Sequence, residues 1–186
     1  KRQNLLFSAT MPREVRGLAT DLLREPHVVE LSHSTPPATI EHALYPVLSN
    51  RKVELLQKLL ASDGFTSAIV FSRTKQRTKR LADQLSRSGM NAVALQGNMS
   101  QGQRDRAMQG FRAGRFKVLV ATDIAARGID VAQVSHVINF DIPKTPDAYT
   151  HRIGRTGRAE RQGKAYTLIT HEDVSIVRQL ERTLGK

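Results

Sequence analysis

The sequence predicts an α/β fold, a doubly wound parallel sheet flanked by helices. Three observations carry this. Short apolar, β-branched runs such as "SAIVF" (67–71), "FKVLVA" (116–121) and "VSHVINF" (134–140) read as strands covered on both faces. Helical patterns of about 10–15 residues separate them, the rhythm of βαβ units. Polar clusters then follow the ends of these runs, the edge at which ligands bind in such sheets.

Each element follows in order. "NLLFS" (4–8) reads as a short buried strand, and "MPREVRGLATDLLRE" (11–25) as a helix with Pro12 at its start and Val15, Leu18, Leu22 and Leu23 on one face. "HVVEL" (27–31) reads as another short strand, and "SHSTPPAT" (32–39) as a linker. Beyond it come strand "ALYPVL" (43–48), helix 52–60, strand "SAIVF", helix 75–86, strand "NAVAL" (91–95) and helix 101–111. "FKVLVA", "VSHVINF", helix "TPDAYTHRIGR" (145–155), strand "KAYTLIT" (164–170) and helix 172–184 complete the pattern. No tandem repeat or low-complexity tract interrupts it.

Composition narrows the function. The chain has 186 residues, 39% hydrophobic and 25% charged, enough for one domain with its own core and a fragment of another. A net charge of +12 favours polyanions, either nucleic acid or an acidic membrane surface. No run approaches the ~20 apolar residues of a membrane helix. The absence of cysteine excludes a disulfide framework, a thiolate zinc site and a cysteine nucleophile, and fits a cytoplasmic protein. A chain opening on Lys1 without an initiator Met is expected to be a piece of a longer protein. With 5% aromatic residues and no Trp, nucleic-acid contact is expected to fall on the backbone, with little sequence preference. There is no GxxxxGK[ST] loop, no acidic pair after a strand to hold Mg²⁺, and no zinc spacing among the histidines.

Four clusters carry the chemistry. "HRIGRTGR" (151–158) sets Arg152, Arg155 and Arg158 three apart with glycines between them. Like charges at that spacing cost roughly 0.2–0.5 kcal/mol per pair, and helical Gly about 0.8–1.0 kcal/mol against Ala. Thr145 as N-cap, Pro146 and Asp147 start a helix that runs to about Arg155, with Gly157 available for a left-handed stop. The segment is either a basic helix end or an arginine set waiting for an anion, since the guanidinium fork matches phosphate oxygens. In "ATDIAARGID" (121–130), Thr122 and Asp123 end a buried strand, and Ala125, Ala126 and Gly128 allow close backbone approach to a ligand. Arg127 needs a partner there; Asp130 would accept from sugar hydroxyls or close an ion pair with Arg127. In "SQGQR" (100–104), Ser100 caps a helix whose first turn holds Gln101 and Arg104. In "FSRTK", Ser72 or Thr74 caps the next helix.

Taken together, "SAT" (8–10), "IVFSRTK" (69–75), "QGNMSQGQR" (96–104), "ATDIAARGID" and "HRIGRTGR" stand in the order of a known family. The chain resembles the C-terminal half of a DEAD-box ATP-dependent RNA helicase over nearly its whole length, most closely the bacterial RhlE-type branch. The resemblance implies two RecA-like domains, with 1–32 the tail of the first, 33–40 the linker and 41–186 the second. It implies that Arg155 and Arg158 are arginine fingers for ATP held by the first domain, which also holds Mg²⁺. Asp130 and Gly128 then lie at the nucleotide, Asp130 on its ribose. Thr74, Gln101, Arg104, Thr122 and Asp123 match RNA-backbone or supporting positions, and Ser8, Thr10, His151 and Arg127 match coupling positions. The implied partners are RNA and the first domain, without a membrane. Gln96 departs from the family's usual His. A fragment of this kind is expected not to hydrolyse ATP alone. A non-catalytic RNA-binding module and a superfamily-2 DNA translocase remain the alternatives.

Overall fold

The computed structural model describes residues 3–8, 13–29, 39–62, 64–126, 134–157 and 162–184. The chain divides into two units, 1–34 and 35–186. The described part of the first holds one helix, α1 (Arg13–Leu22). The two strands expected there are not found: residues 4–8 and 27–29 carry no regular structure, and Phe7 is 88% exposed. A strand exists only through the ladder that pairs its backbone. No described residue of this unit supplies one. Pro12, Glu30 and Leu31 lie outside the described residues.

The second unit is one parallel sheet of β1 (Ile40–Pro46), β2 (Ala68–Phe71), β3 (Ala92–Leu95), β4 (Val118–Ala121), β5 (His136–Asn139) and β6 (Gly163–Ile169). Its order is β1-β6-β5-β2-β4-β3. The helices are α2 (Lys52–Leu60), α3 (Lys75–Arg87), α4 (Gln101–Arg112), α5 (Asp123–Ala126), α6 (Pro146–Ile153) and α7 (Val174–Leu184). Every residue of β2, β4 and β5 is buried, as strands covered on both faces require.

The period of two along each strand sorts the core into two layers. Ile69, Phe71, Leu119, Ala121 and Val137 face α4, α6 and α7, meeting Phe111, Tyr149, Ile153 and Leu180. Ala68, Val70, Val118, Val120 and Ile138 face α2 and α3, meeting Leu56, Leu60, Leu81 and Leu85. No helix among the described residues is long and apolar enough to cross a membrane.

Helix starts follow the caps in the sequence. Thr74 Oγ1 accepts the Arg77 N–H at 3.2 Å to open α3, and Thr145 does the same for Ala148 at 3.2 Å to open α6. Ser100 and Gln103 form a reciprocal capping box on α4. Two ends differ from expectation. The last helix starts at Val174 because Asp173 is drawn back onto Thr170, leaving 171–173 as a 3-10 turn. Helix α6 stops at Ile153, two residues before Arg155, because the Thr156 hydroxyl is captured by the Val134 carbonyl at 2.6 Å. Gly157 takes the left-handed conformation there, at φ +67°.

At the amino edge of the sheet, His136 is buried, with Nδ1 2.8 Å from Ser135 Oγ and Nε2 without a hydrogen-bond partner among the described residues. Burial, aided by Lys164, holds its pKa below the usual 6.5. Between that lowered value and 6.5 the unfolded chain binds more protons, so stability falls as pH drops through the window. His136→Phe is expected to flatten this acid-side loss, read as urea midpoints from about pH 7 downward. An unchanged pH slope would count against a neutral buried imidazole.

Candidate functional site

The order of the strands creates the site. From β2 the chain leaves to one side through β3 and β4, then returns on the other side as β5 and β6. The carboxyl ends of β4, β2 and β5 therefore meet at a switch point, the place where doubly wound sheets bind ligands. The described residues of the polar clusters expected after the strands lie on this one edge, because every strand pairing is parallel.

Arg152, on α6, holds this edge together. It is 3% exposed. Its Nε and Nη2 donate to the two carboxylate oxygens of Asp123 at 2.6 and 2.8 Å. Its Nη1 donates to Asn139 Oδ1 at 3.0 Å and to the Asp141 carbonyl at 2.7 Å. The guanidinium lies 5.0 Å from the Phe71 ring centroid, over the end of β2. One side chain thus ties α6 to the ends of β2, β4 and β5. This corrects the grouping of the three arginines as one anion-seeking set: Arg152 has its counter-charge inside the domain.

Asp141 continues the network. Its Oδ2 accepts the Arg73 N–H at 2.8 Å and its Oδ1 meets Arg77 Nη1 at 3.1 Å. Arg77 also lies over the Phe140 ring, at 4.9 Å. Beneath it, Lys52 is 4% exposed and donates to the carbonyls of Phe140 and Leu168 at 3.0 and 3.1 Å. Burial lowers the Lys52 pKa, and Asp141 and Asp173 partly restore it. Neither Lys52 nor Asp141 was legible as a site residue. Asp141 had one signal, a carboxylate directly after a strand; Lys52 had none, since its acceptors are main-chain oxygens far away in sequence.

The other expected positions fall around this core. Thr74 caps α3, and Ser72 is buried with its hydroxyl 2.6 Å from that of Thr78. Thr122 is buried at the end of β4, and its N–H reaches the Leu95 carbonyl at 3.4 Å. Asp123 opens α5, a short helix where an open loop was expected, and this leaves Ile124 79% exposed. Arg104 reaches across to the Ala125 carbonyl at 3.4 Å, whereas Gln101 turns along its own helix to Asp105 at 2.8 Å. Gln96 folds back to accept the Asn98 N–H at 2.6 Å, and Lys75 bridges to Asn98 Oδ1 at 2.8 Å, joining the loops after β2 and β3.

His151 is exposed in the last turn of α6, and Arg155 is half-buried in the turn beyond it. Ser8 is exposed in the first unit. Thr10, Arg127, Gly128, Asp130 and Arg158 lie outside the described residues. Among the described residues, no cluster of His, Asp or Glu is placed to hold a metal ion.

Known proteins resemble this chain in sequence and fold. The family model described as "Helicase conserved C-terminal domain" matches residues 51–160. The DEAD-box ATP-dependent RNA helicase CshA of Geobacillus kaustophilus is 42% identical over 185 residues, 98% of this chain and 39% of CshA. The ATP-dependent RNA helicase RhlB of Pseudomonas syringae pv. tomato is 40% identical over 187 residues, 100% of this chain and 47% of RhlB. The chain therefore spans less than half the length of these relatives. A structure of an S. cerevisiae Dbp5 variant bound to RNA and ADP BeF3 superposes with a TM-score of 0.82 at 33% identity, covering 96% of this chain and 48% of that one. A family model over more than half of the chain shows that it belongs to the helicase conserved C-terminal domain family, and it shares the RecA-like fold of DEAD-box proteins.

Proposed function

We propose that this chain is the second motor half of an ATP-dependent RNA helicase that opens short RNA duplexes as two RecA-like domains close around ATP and RNA. Residues 1–32 would belong to the first domain, 33–40 to the linker and 41–186 to the second. The first domain would hold ATP and Mg²⁺. Arg155 and Arg158 would reach the γ-phosphate, and Asp130 and Gly128 would meet the nucleoside. Thr74, Gln101, Arg104 and Thr122 would face the RNA backbone with Asp123 supporting them, and Ser8, Thr10, His151 and Arg127 would couple the two events. The cytoplasm is the compartment this reading implies. Because the relatives carry the names CshA and RhlB, the reading stands at the level of the DEAD-box family, without the RhlE-type branch.

The observation that carries the reading is the joined edge at the switch point. The loops after β2, β3, β4 and β5 are cross-linked by Asp141, Asn98, Arg104 and Arg152, and α6, which leads into Arg155, is pinned to the same edge. The full-length protein is expected to hydrolyse ATP faster with RNA than with DNA of the same sequence, the 2′-hydroxyl being the distinguishing group. Equal stimulation by DNA would favour a translocase, and no hydrolysis with either would favour a binding module.

A further inference from the structure

We propose that Asp141 is a positioning residue that couples the RNA-facing loop after β2 to the nucleotide-facing end of α6. The inference rests on the ATP and RNA reading above. It names a residue outside every block that carries the family resemblance.

The geometry is specific to Asp141. Its carboxylate is buried, the residue being 3% exposed, yet both oxygens are spent on one segment: Oδ2 on the Arg73 N–H and Oδ1 on the Arg77 guanidinium. Those two groups flank Thr74 and clamp the turn that opens α3. Its main-chain oxygen serves the other side, accepting Arg152 Nη1 at 2.7 Å. Arg152 sits one turn before Arg155 on the same stretch of chain. A single residue thus holds the loop expected to grip RNA with its side chain and the segment expected to reach ATP with its backbone.

Displacing either partner moves the other or breaks a buried bond. Unpaired buried polar groups are costly, so the two segments keep one joint arrangement rather than two independent ones. Lys52 restrains the hub from below by gripping the carbonyl of the preceding residue, Phe140, at 3.0 Å. Ligands that each favour the same arrangement then strengthen one another's binding, and the strengthening is reciprocal.

The test is thermodynamic. In the full-length protein, binding of a fluorescein-labelled oligouridylate is measured with and without a non-hydrolysable ATP analogue. Their ratio is the coupling factor, about 5–150 for typical linked sites. Asp141→Asn keeps one acceptor for the Arg73 N–H but loses the Arg77 pair, and is expected to bring the factor towards 1. Arg77→Gln should do the same from an exposed position, which keeps the test alive should the buried change impair folding. The double variant is expected to be no worse than the weaker single one, as for residues acting as a unit. A wild-type coupling factor retained in both single variants would overturn the proposal. So would additive losses in the double variant. A wild-type protein showing no coupling would instead overturn the ATP and RNA reading.

Discussion

Arg155→Ala in the full-length protein is expected to lower RNA-stimulated ATP turnover about 10³–10⁵-fold, the range an arginine finger contributes to phosphoryl transfer. The guanidinium would neutralise charge on the transferring phosphoryl group, and a half-buried arginine just past a helix end can reach outward to do so. Folding should be nearly untouched, within about 1 kcal/mol. The main chain of Arg155 makes its own bonds, accepting the Val134 N–H at 3.3 Å and donating to the Arg152 carbonyl at 3.2 Å, and alanine keeps both. Steady-state turnover with saturating RNA, beside thermal unfolding, reads the two effects separately. Turnover near the wild-type level would remove Arg155 from the reaction.

The opposite result is expected three residues earlier. Arg152→Met should destabilise the domain by about 3–5 kcal/mol, the cost of leaving two buried acceptors without a donor at about 1–3 kcal/mol each, beside an Asp123 carboxylate that water can still reach. For a domain of this size that is a fall in unfolding temperature of roughly 6–20 °C. The loss is large because the buried Asn139 Oδ1 and Asp141 carbonyl lose their donor together, while the half-exposed Asp123 carboxylate loses its counter-charge. Arg152→Lys should recover little, since a compact ammonium cannot reproduce the planar fork. An Arg152→Met protein unfolding at the wild-type temperature would show that the network adds nothing to stability. In one short segment, then, one arginine is expected to support the fold and its neighbour the chemistry.

That division explains what could be read in advance. Helices α2, α3 and α4 were legible nearly to the residue, because apolar residues recur at helical spacing and Thr74 and Ser100 announce the starts of α3 and α4. The strands that form the sheet were legible for the same local reason, though the first runs Ile40–Pro46 where 43–48 was expected. The expected strands at 4–8 and 27–31 failed in their described residues because strand identity belongs to the partner, and an apolar run holds no information about whether one is present. α5 escaped notice because four residues are too few to show a period.

By itself the sequence determined most elements of the sheet unit, that they alternate, and that polar residues gather where strands end. All of these depend on interactions within a few residues of each other. Only the tertiary structure decided that Arg152 is spent internally, that Asp141 binds two segments at once, and that Lys52 lies beneath them. Their partners stand between 11 and 116 residues away, and a charge is structural or available according to what the fold brings beside it.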